Sequence, residues 1–324
     1  MEKELGEIKA NLKKYGQEHI LNNFEELDET HQKELLKEIK GIDFELVTSL
    51  YNNTKKEKKN TKDEITPINY LDKFKLGDKY KYYENIGKKA IQEGKLAAVT
   101  MAGGQGTRLG HNGPKGTYDI GLDSHKSLFE LLSDGIKEEA KKYGVTIPWF
   151  IMTSRENNKT TVEFFEKHKY FGYQKDKNIF FFIQGELPMM DTEGKILIGE
   201  DGLIKLAADG HGGIYESLVK SGMTKKMKEL GVEWVFIGGV DNCLVKMVDP
   251  VLMGIAIDQQ VTVACKSVVK ANPQEKVGVF CKRNGKPNVI EYTEITDEMA
   301  EARDKDGELL YGESHILCNL FSVG

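Results

Sequence analysis

The sequence predicts an α/β fold, with a mixed, mostly parallel sheet flanked by helices and a helical segment in front of it. Three observations predict it. Short apolar runs of strand length recur from residue 96 onward, helix-like stretches separate several of them, and the first run ends in a glycine cluster. A continuous apolar run suits a strand covered on both faces, and parallel pairing needs the long crossovers that helices supply. Ligands of such sheets gather beyond the carboxyl ends of the strands, so function is sought in the loops that follow each run.

Taken in order, residues 1–52 read as helical, with Leu21, Phe24, Leu27, Leu35, Leu36 and Ile39 recurring at three- and four-residue steps. The stretch 55–64 (KKEKKNTKDE) is charged throughout and reads as a solvated loop. Residues 78–94 read as a polar helix that stops near Gly94. That stop sets the expected boundary between an N-terminal helical region, 1–94, and a core, 95–324. Within the core, strands are expected at Leu96–Met101, Pro148–Thr153, Ile179–Ile183, Trp234–Ile237, Val261–Val269 and Val277–Cys281. Helices are expected around Ser127–Tyr143, Lys159–Lys167 and Tyr215–Leu230. No internal repeat or low-complexity tract interrupts the pattern.

With 39% hydrophobic and 30% charged residues, the 324-residue chain has the composition of a soluble globular protein. A formal charge of −5 argues against a nucleic-acid groove or an anionic-membrane surface, so an anionic ligand must meet a local positive site. Arg108, Arg155, Arg283 and Arg303 are the only arginines, which makes an arginine inside a glycine loop noticeable. Cys243, Cys265, Cys281 and Cys318 form no CxxC pair and read as small apolar fillers in a reducing compartment. The charged start resembles no signal peptide, and no apolar run has membrane-span length, so the cytoplasm is the expected location.

The most informative segment is Met101–Gly116, MAGGQGTRLGHNGPKG. Gly103, Gly104 and Gly106 follow an expected strand, where backbone without Cβ approaches a ligand closely and aims N–H groups at phosphate. Arg108 adds a rigid charged fork, and Lys115, nine residues past Gly106, a compact point charge. The spacing is not that of a P-loop, which disfavours a Walker-type NTPase. Gly104-x-Gly106 with Gly110 comes close to GxGxxG, which leaves a dinucleotide-binding fold open as an alternative.

Five strings in register identify the chain with a family. AGGQGTRLG…PKG is similar to the signature loop of the UDP-sugar pyrophosphorylases, and most of all to the UDP-N-acetylglucosamine pyrophosphorylase branch. Gln184-Gly185-x-x-Pro188, Asp209-Gly210-His211-Gly212-Gly213, Val240-Asp241-Asn242 with Leu244-Val245-Lys246, and Val289-Ile290-Glu291-Tyr292-x-Glu294 follow in the family's order. Tyr15–Ile39 resembles that branch's N-terminal helical region. The resemblance implies a Rossmann-like fold of the nucleotide-diphospho-sugar transferase type. It also implies a uridylyltransferase that makes a UDP-sugar and pyrophosphate from UTP and a sugar 1-phosphate, most of all N-acetylglucosamine 1-phosphate.

The resemblance implies site residues as well. Met101, Ala102, Gly103, Gly104, Gly106, Lys115, Gln184, Gly210 and Asp241 would bind the nucleotide, with Arg108 and Lys115 as the catalytic cations. Gln184 carries both a donor and an acceptor, which suits the imide edge of uracil. Asp241, at the end of an expected strand, is placed to hold Mg²⁺ against phosphate oxygens. Gly278, Glu291, Tyr292, His211 and His315 would face the sugar, while Lys246 and Asp249 read as structural.

Two departures bear on this. The acetylglucosamine branch usually has Asn where this chain has His211, and a Gly-Asn pair where this chain has Ser314-His315. Glucose 1-phosphate or a broader sugar range is therefore a competing expectation. Relatives also continue past Phe321-Ser322 into further core and a C-terminal domain, so a nucleotide-binding fragment without activity is a third expectation.

Overall fold

The computed structural model describes residues 2–55 and 63–324; most of the charged stretch 55–64 lies outside the described residues. The strands are β1 (Ile65–Pro67), β2 (Leu96–Met101), β3 (Trp149–Thr153), β4 (Ile179–Ile183), β5 (Glu186–Pro188) and β6 (Leu206–Ala208). After them come β7 (Trp234–Gly239), β8 (Val263–Val269), β9 (Val279–Arg283), β10 (Lys286–Ile290) and β11 (Glu313–Ser322). The chain divides into two compact units, Met1–Thr61 with Gly185–Gly213, and Lys62–Gln184 with Ile214–Gly324.

In the first unit, helices Glu2–Lys14, Glu29–Gly41 and Phe44–Lys55 pack with the segment 185–213, whose β5 and β6 pair antiparallel. The expected helical run is interrupted: Gly16 turns at φ +66°, and residues 18–26 form short 3₁₀ turns instead of a continuous α-helix. Leu35, Leu36 and Ile39 are buried together with Ile196 and Ile204, while Leu21, Phe24 and Leu27 line the edge of that cluster. Gln17, 4% exposed, ties the two stretches together by donating to Gly194 O (2.7 Å) and accepting from Ile196 N (3.0 Å). The segment 185–213 thus shares a core with residues more than 150 positions away.

The second unit is built on one mixed sheet. β7, β2, β3 and β4 lie side by side and parallel, and β2 and β3 are buried at every residue. β11 pairs antiparallel with β7 and starts a wing formed with β8, β9, β10 and β1. Helix Leu128–Tyr143, capped by Ser127, buries Phe129, Leu132 and Ile136 in the cluster that also holds Trp149 and Ile151. Val261–Val269 is apolar like the buried runs, but β8 pairs only with β11 and leaves Val263, Val268 and Val269 exposed. Composition alone does not separate a central strand from an edge strand. The expected helix Tyr215–Leu230 is two helices, Gly213–Lys220 and Met223–Glu229, parted where Gly222 adopts φ +76°.

Helix Asp78–Gln92 packs in the second unit against helix Pro250–Asp258. Two glycines let the helices touch: a Cβ on Gly87 would lie 1.8 Å from Pro250 O, and one on Gly254 would lie 1.8 Å from Tyr83 O. Residues 63–94 group with the second unit, where the sequence reading puts them in an N-terminal helical region. Asp249 caps helix Pro250–Asp258 through Val251 N and Leu252 N and pairs with Lys266 at 2.7 Å. Burial raises the Asp249 pKa, but the Lys266 ammonium and the two N–H groups outweigh it and hold the carboxyl below its ordinary range. Cys281 and Cys318 are buried, Cys265 lies exposed on β8, and all four cysteines are free. No helix among the described residues is long and apolar enough to cross a membrane.

Candidate active site

The carboxyl ends of β7, β2, β3 and β4 form one rim, because the four strands are parallel neighbours. The glycine loop leaves β2 there, and Asp241 leaves β7, whose Gly239 sits opposite Met101. Val240 N donates to Met101 O at 3.0 Å, so the two exits are fastened together. Gln184 leaves β4, with its N–H on Thr153 O at 2.8 Å.

The loop folds back on itself. Gln105 bridges Pro114, Gly106 N donates to Gly113 O (2.8 Å), and Lys115 N donates to Gly104 O (3.0 Å). Those bonds lay the Lys115 side chain along Gly104, with Nζ 3.9 Å from the place a Cβ would occupy there. Lys115 Nζ donates to Asp241 Oδ2 at 2.9 Å, and the two side chains are 19% and 65% exposed. The sequence-expected cation and carboxylate are thus side by side, carried by loops from adjacent strands.

Gln184 packs directly on the loop: a Cβ on Gly103 would stand 2.3 Å from Gln184 Oε1. Only glycine leaves room for that amide beside the loop. Arg108 lies exposed on the 3₁₀ turn Thr107–Leu109, without an ion-pair partner among the described residues. The N–H groups of Gly103, Gly104 and Gln105 make no hydrogen bond among the described residues. Three unused donors beside a lysine are the makings of an anion cradle.

Farther along the same rim, β11 begins next to the end of β7. His315 N donates to Gly278 O at 2.8 Å, and a Cβ on Gly278 would lie 3.1 Å from Glu291 Oε1. Gly278, Glu291 and His315 therefore come together. Tyr292 follows on an exposed turn, 48% exposed, and among the described residues no hydrogen bond or ring contact draws it into that group. Leu317, at φ +55° in the bulge of β11, places Cδ2 3.2 Å from where Gly239 would carry a Cβ, which links this group to the Asp241 strand.

In the first unit, the Asp209 carboxylate fills the space over two glycines. A Cβ would meet its oxygens at 2.1 Å on Gly185 and at 2.0 Å on Gly213. Gly210 turns at φ +83°, and His211 stands exposed on that turn. Sequence reasoning missed Asn157, which is 1% exposed and donates to Ala102 O and Gly104 O at 3.0 and 3.4 Å. The only available signal was the polar string Ser154-Arg155-Glu156-Asn157-Asn158 directly after a buried strand.

No group of three or more His, Cys, Asp or Glu side chains converges among the described residues. Mg²⁺ is commonly held by one or two carboxylates together with substrate phosphates and water, so a lone, largely exposed Asp241 beside a phosphate cradle fits that ion.

A glycine loop, a lysine and a carboxylate on the carboxyl rim of a mixed sheet define an α/β protein with its candidate ligand site at the strand ends. A family model described as UTP--glucose-1-phosphate uridylyltransferase matches residues 43–323, and the chain belongs to that family. UDP-N-acetylglucosamine diphosphorylase 2 of Arabidopsis thaliana is 37% identical across 96% of this chain and 66% of its own. UDP-N-acetylglucosamine pyrophosphorylase of Saccharomyces cerevisiae is also 37% identical, across 95% of this chain and 68% of its own. Among solved structures, the uridine diphosphate N-acetylglucosamine pyrophosphorylase of Trypanosoma brucei superposes with a TM-score of 0.81 at 33% identity, over 97% of this chain and 66% of that one. The chain thus spans about two-thirds of the length of these relatives.

Proposed function

We propose that the chain is a uridylyltransferase that joins UTP to a sugar 1-phosphate, N-acetylglucosamine 1-phosphate first, and releases pyrophosphate. The observation that carries the proposal is the Lys115–Asp241 pair beside three unused N–H donors. The names of the relatives support the sugar. In this reading a phosphate oxygen of the sugar 1-phosphate attacks the α-phosphorus of UTP. A new P–O bond forms as the bond to the β-phosphate bridging oxygen breaks, and its electron pair leaves with pyrophosphate.

The nucleophile is already an anion at neutral pH, so no general base is needed. The barrier is the meeting of two polyanions: unit charges 4 Å apart interact by roughly 4 kcal/mol at an effective dielectric of 20. Lys115 would stabilise charge at the reacting phosphates, Arg108 would meet the leaving pyrophosphate, and the Gly103–Gln105 N–H groups would hold phosphate oxygens. Gln184 would read the uracil edge. Asp241 would hold Mg²⁺, which when bound supplies further neutralisation of phosphate charge. The proposal rests on residues of the second unit alone; Gly210 and His211 carry no part of it.

A second reading, glucose 1-phosphate, is favoured in the sequence by His211 and disfavoured by the Val240-Asp241-Asn242 and Glu291-Tyr292-x-Glu294 strings, while Ser314-His315 weakens the N-acetyl reading. One assay covers both. With UTP and Mg²⁺, pyrophosphate release should be fastest with N-acetylglucosamine 1-phosphate in a panel of sugar 1-phosphates. Faster release with glucose 1-phosphate would select the second reading, and no release with any sugar would remove the activity. The cytoplasm as its location belongs to the same proposal.

A further inference from the structure

Asn157 is placed immediately before helix Asn158–Lys167, where asparagine ordinarily accepts from the first N–H groups of its own helix. It makes no such bond. Its Oδ1 accepts from Ser154 N (2.9 Å), and its backbone N–H donates to Ser154 Oγ (3.1 Å). Its Nδ2 reaches away from the helix to the glycine loop, onto Ala102 O at 3.0 Å and Gly104 O at 3.4 Å. Ser154 and Asn157 thus cap this turn reciprocally, and the amide's remaining donors go to two carbonyls on another strand's exit.

The consequence follows from peptide geometry. In a planar trans peptide the C=O of one residue points opposite to the N–H of the next. With the Ala102 carbonyl held on Asn157, and the Gly104 carbonyl shared between Asn157 (3.4 Å) and Lys115 N (3.0 Å), the N–H groups of Gly103 and Gln105 face away from Asn157, and neither is used within the described residues. Gly103 and Gly104 lack the Cβ that would oppose rotation of these peptide planes. A flipped plane would turn a carbonyl oxygen, with its negative end, toward an incoming phosphate. A loop with this freedom needs a clamp to bind an anion.

We propose that Asn157 is a positioning residue for the nucleotide, fixing the Ala102–Gly103 peptide plane, and with Lys115 N the Gly104–Gln105 plane, so that Gly103 N–H and Gln105 N–H are presented to the triphosphate. The proposal deepens the uridylyltransferase reading and rests on it. Asn157 makes no hydrogen bond to Gln184 among the described residues, so its loss should act on phosphates and not on uridine.

The experiment compares UTP, by calorimetry, with uridine, by NMR titration, on the wild type, Asn157→Ala and Asn157→Asp. The aspartate keeps the volume and the acceptor for Ser154 N–H but loses the donor toward the loop. Both variants should bind UTP about 10-fold more weakly, the worth of a hydrogen bond to a charged group, with uridine affinity unchanged. A merely structural role predicts parallel losses for both ligands, and that result, or unchanged UTP affinity, overturns the proposal. Amide exchange on the wild type gives a check that needs no variant: Gly103 and Gln105 should slow when UTP is added, and exchange left unaltered by saturating UTP also overturns it. A wild type that gives no heat with UTP removes the uridylyltransferase reading and this inference together. Binding by the wild type with full affinity retained in the variants removes the inference alone.

Discussion

Replacing Lys115 by alanine is the sharpest perturbation of the proposed chemistry. The substitution removes an ammonium held 2.9 Å from Asp241 and lying along Gly104, but it keeps the backbone bond from Lys115 N to Gly104 O. The loop therefore retains its fold-back while losing one charge. A cation about 4 Å from a developing phosphate charge is worth up to roughly 4 kcal/mol at an effective dielectric of 20. At about 1.36 kcal/mol per tenfold in rate, that is an upper bound near three powers of ten. The side chain is 19% exposed, so solvent screens part of this. The expected fall in kcat is therefore on the order of 10²- to 10³-fold, the range seen when one preorganised stabiliser of transition-state charge is lost. Continuous pyrophosphate detection with UTP and N-acetylglucosamine 1-phosphate reads it, and a melting curve checks that the variant folds. A folded variant whose kcat lies within about threefold of wild type would refute the role given to Lys115.

Further outcomes follow from the same geometry. Asp241→Asn should raise the Mg²⁺ concentration needed for half-maximal turnover; an unchanged metal requirement would place the ion elsewhere. Gly103→Ala should displace Gln184, whose Oε1 lies 2.3 Å from the new methyl, and because that amide can swing away the protein should still fold. Its KM for UTP should rise about tenfold, and an unchanged KM would separate Gln184 from nucleotide binding. Gly254→Ala puts a methyl 1.8 Å from the Tyr83 carbonyl, where only a shift of two helices relieves the clash. A destabilisation of about 1–3 kcal/mol is expected in denaturant unfolding, and an unchanged midpoint would contradict the close approach. Asp249, with its carboxyl pKa depressed in the folded chain, contributes stability above the ordinary carboxylate range that disappears as pH falls through its folded value. Asp249→Asn should therefore flatten the acid side of the stability profile below about pH 4, and a superimposable acid limb would show the pair contributes nothing.

The parallel half of the sheet was legible because its chemistry is repetitive. Leu96–Met101 and Trp149–Thr153 are apolar at nearly every position since both faces are covered, and their length suits a strand. The wing was legible in position but not in environment: β8 is as apolar as a central strand yet sits at an edge. The segment 185–213 was not legible as part of the first unit. Its contacts to Gln17 and Glu38 are long-range hydrogen bonds from single polar residues, which leave no periodic trace. In the site, Gly103 and Lys115 stood out in one glycine loop, Asp241 stood at a strand end, and the family resemblance grouped them; the structure pairs Lys115 with Asp241. Asn157 was silent for the opposite reason: an asparagine before a helix has an ordinary explanation as a cap, and only coordinates reveal that its side chain is turned to another strand's loop.

A crystal of the chain soaked with UTP and Mg²⁺ tests the account at its centre. The triphosphate should lie over Gly103–Gln105, with Lys115 Nζ parted from Asp241 and bonded to a phosphate oxygen, and with uracil against the Gln184 amide. A nucleotide bound away from the β2 and β7 strand ends, with the Lys115–Asp241 pair intact, would contradict it.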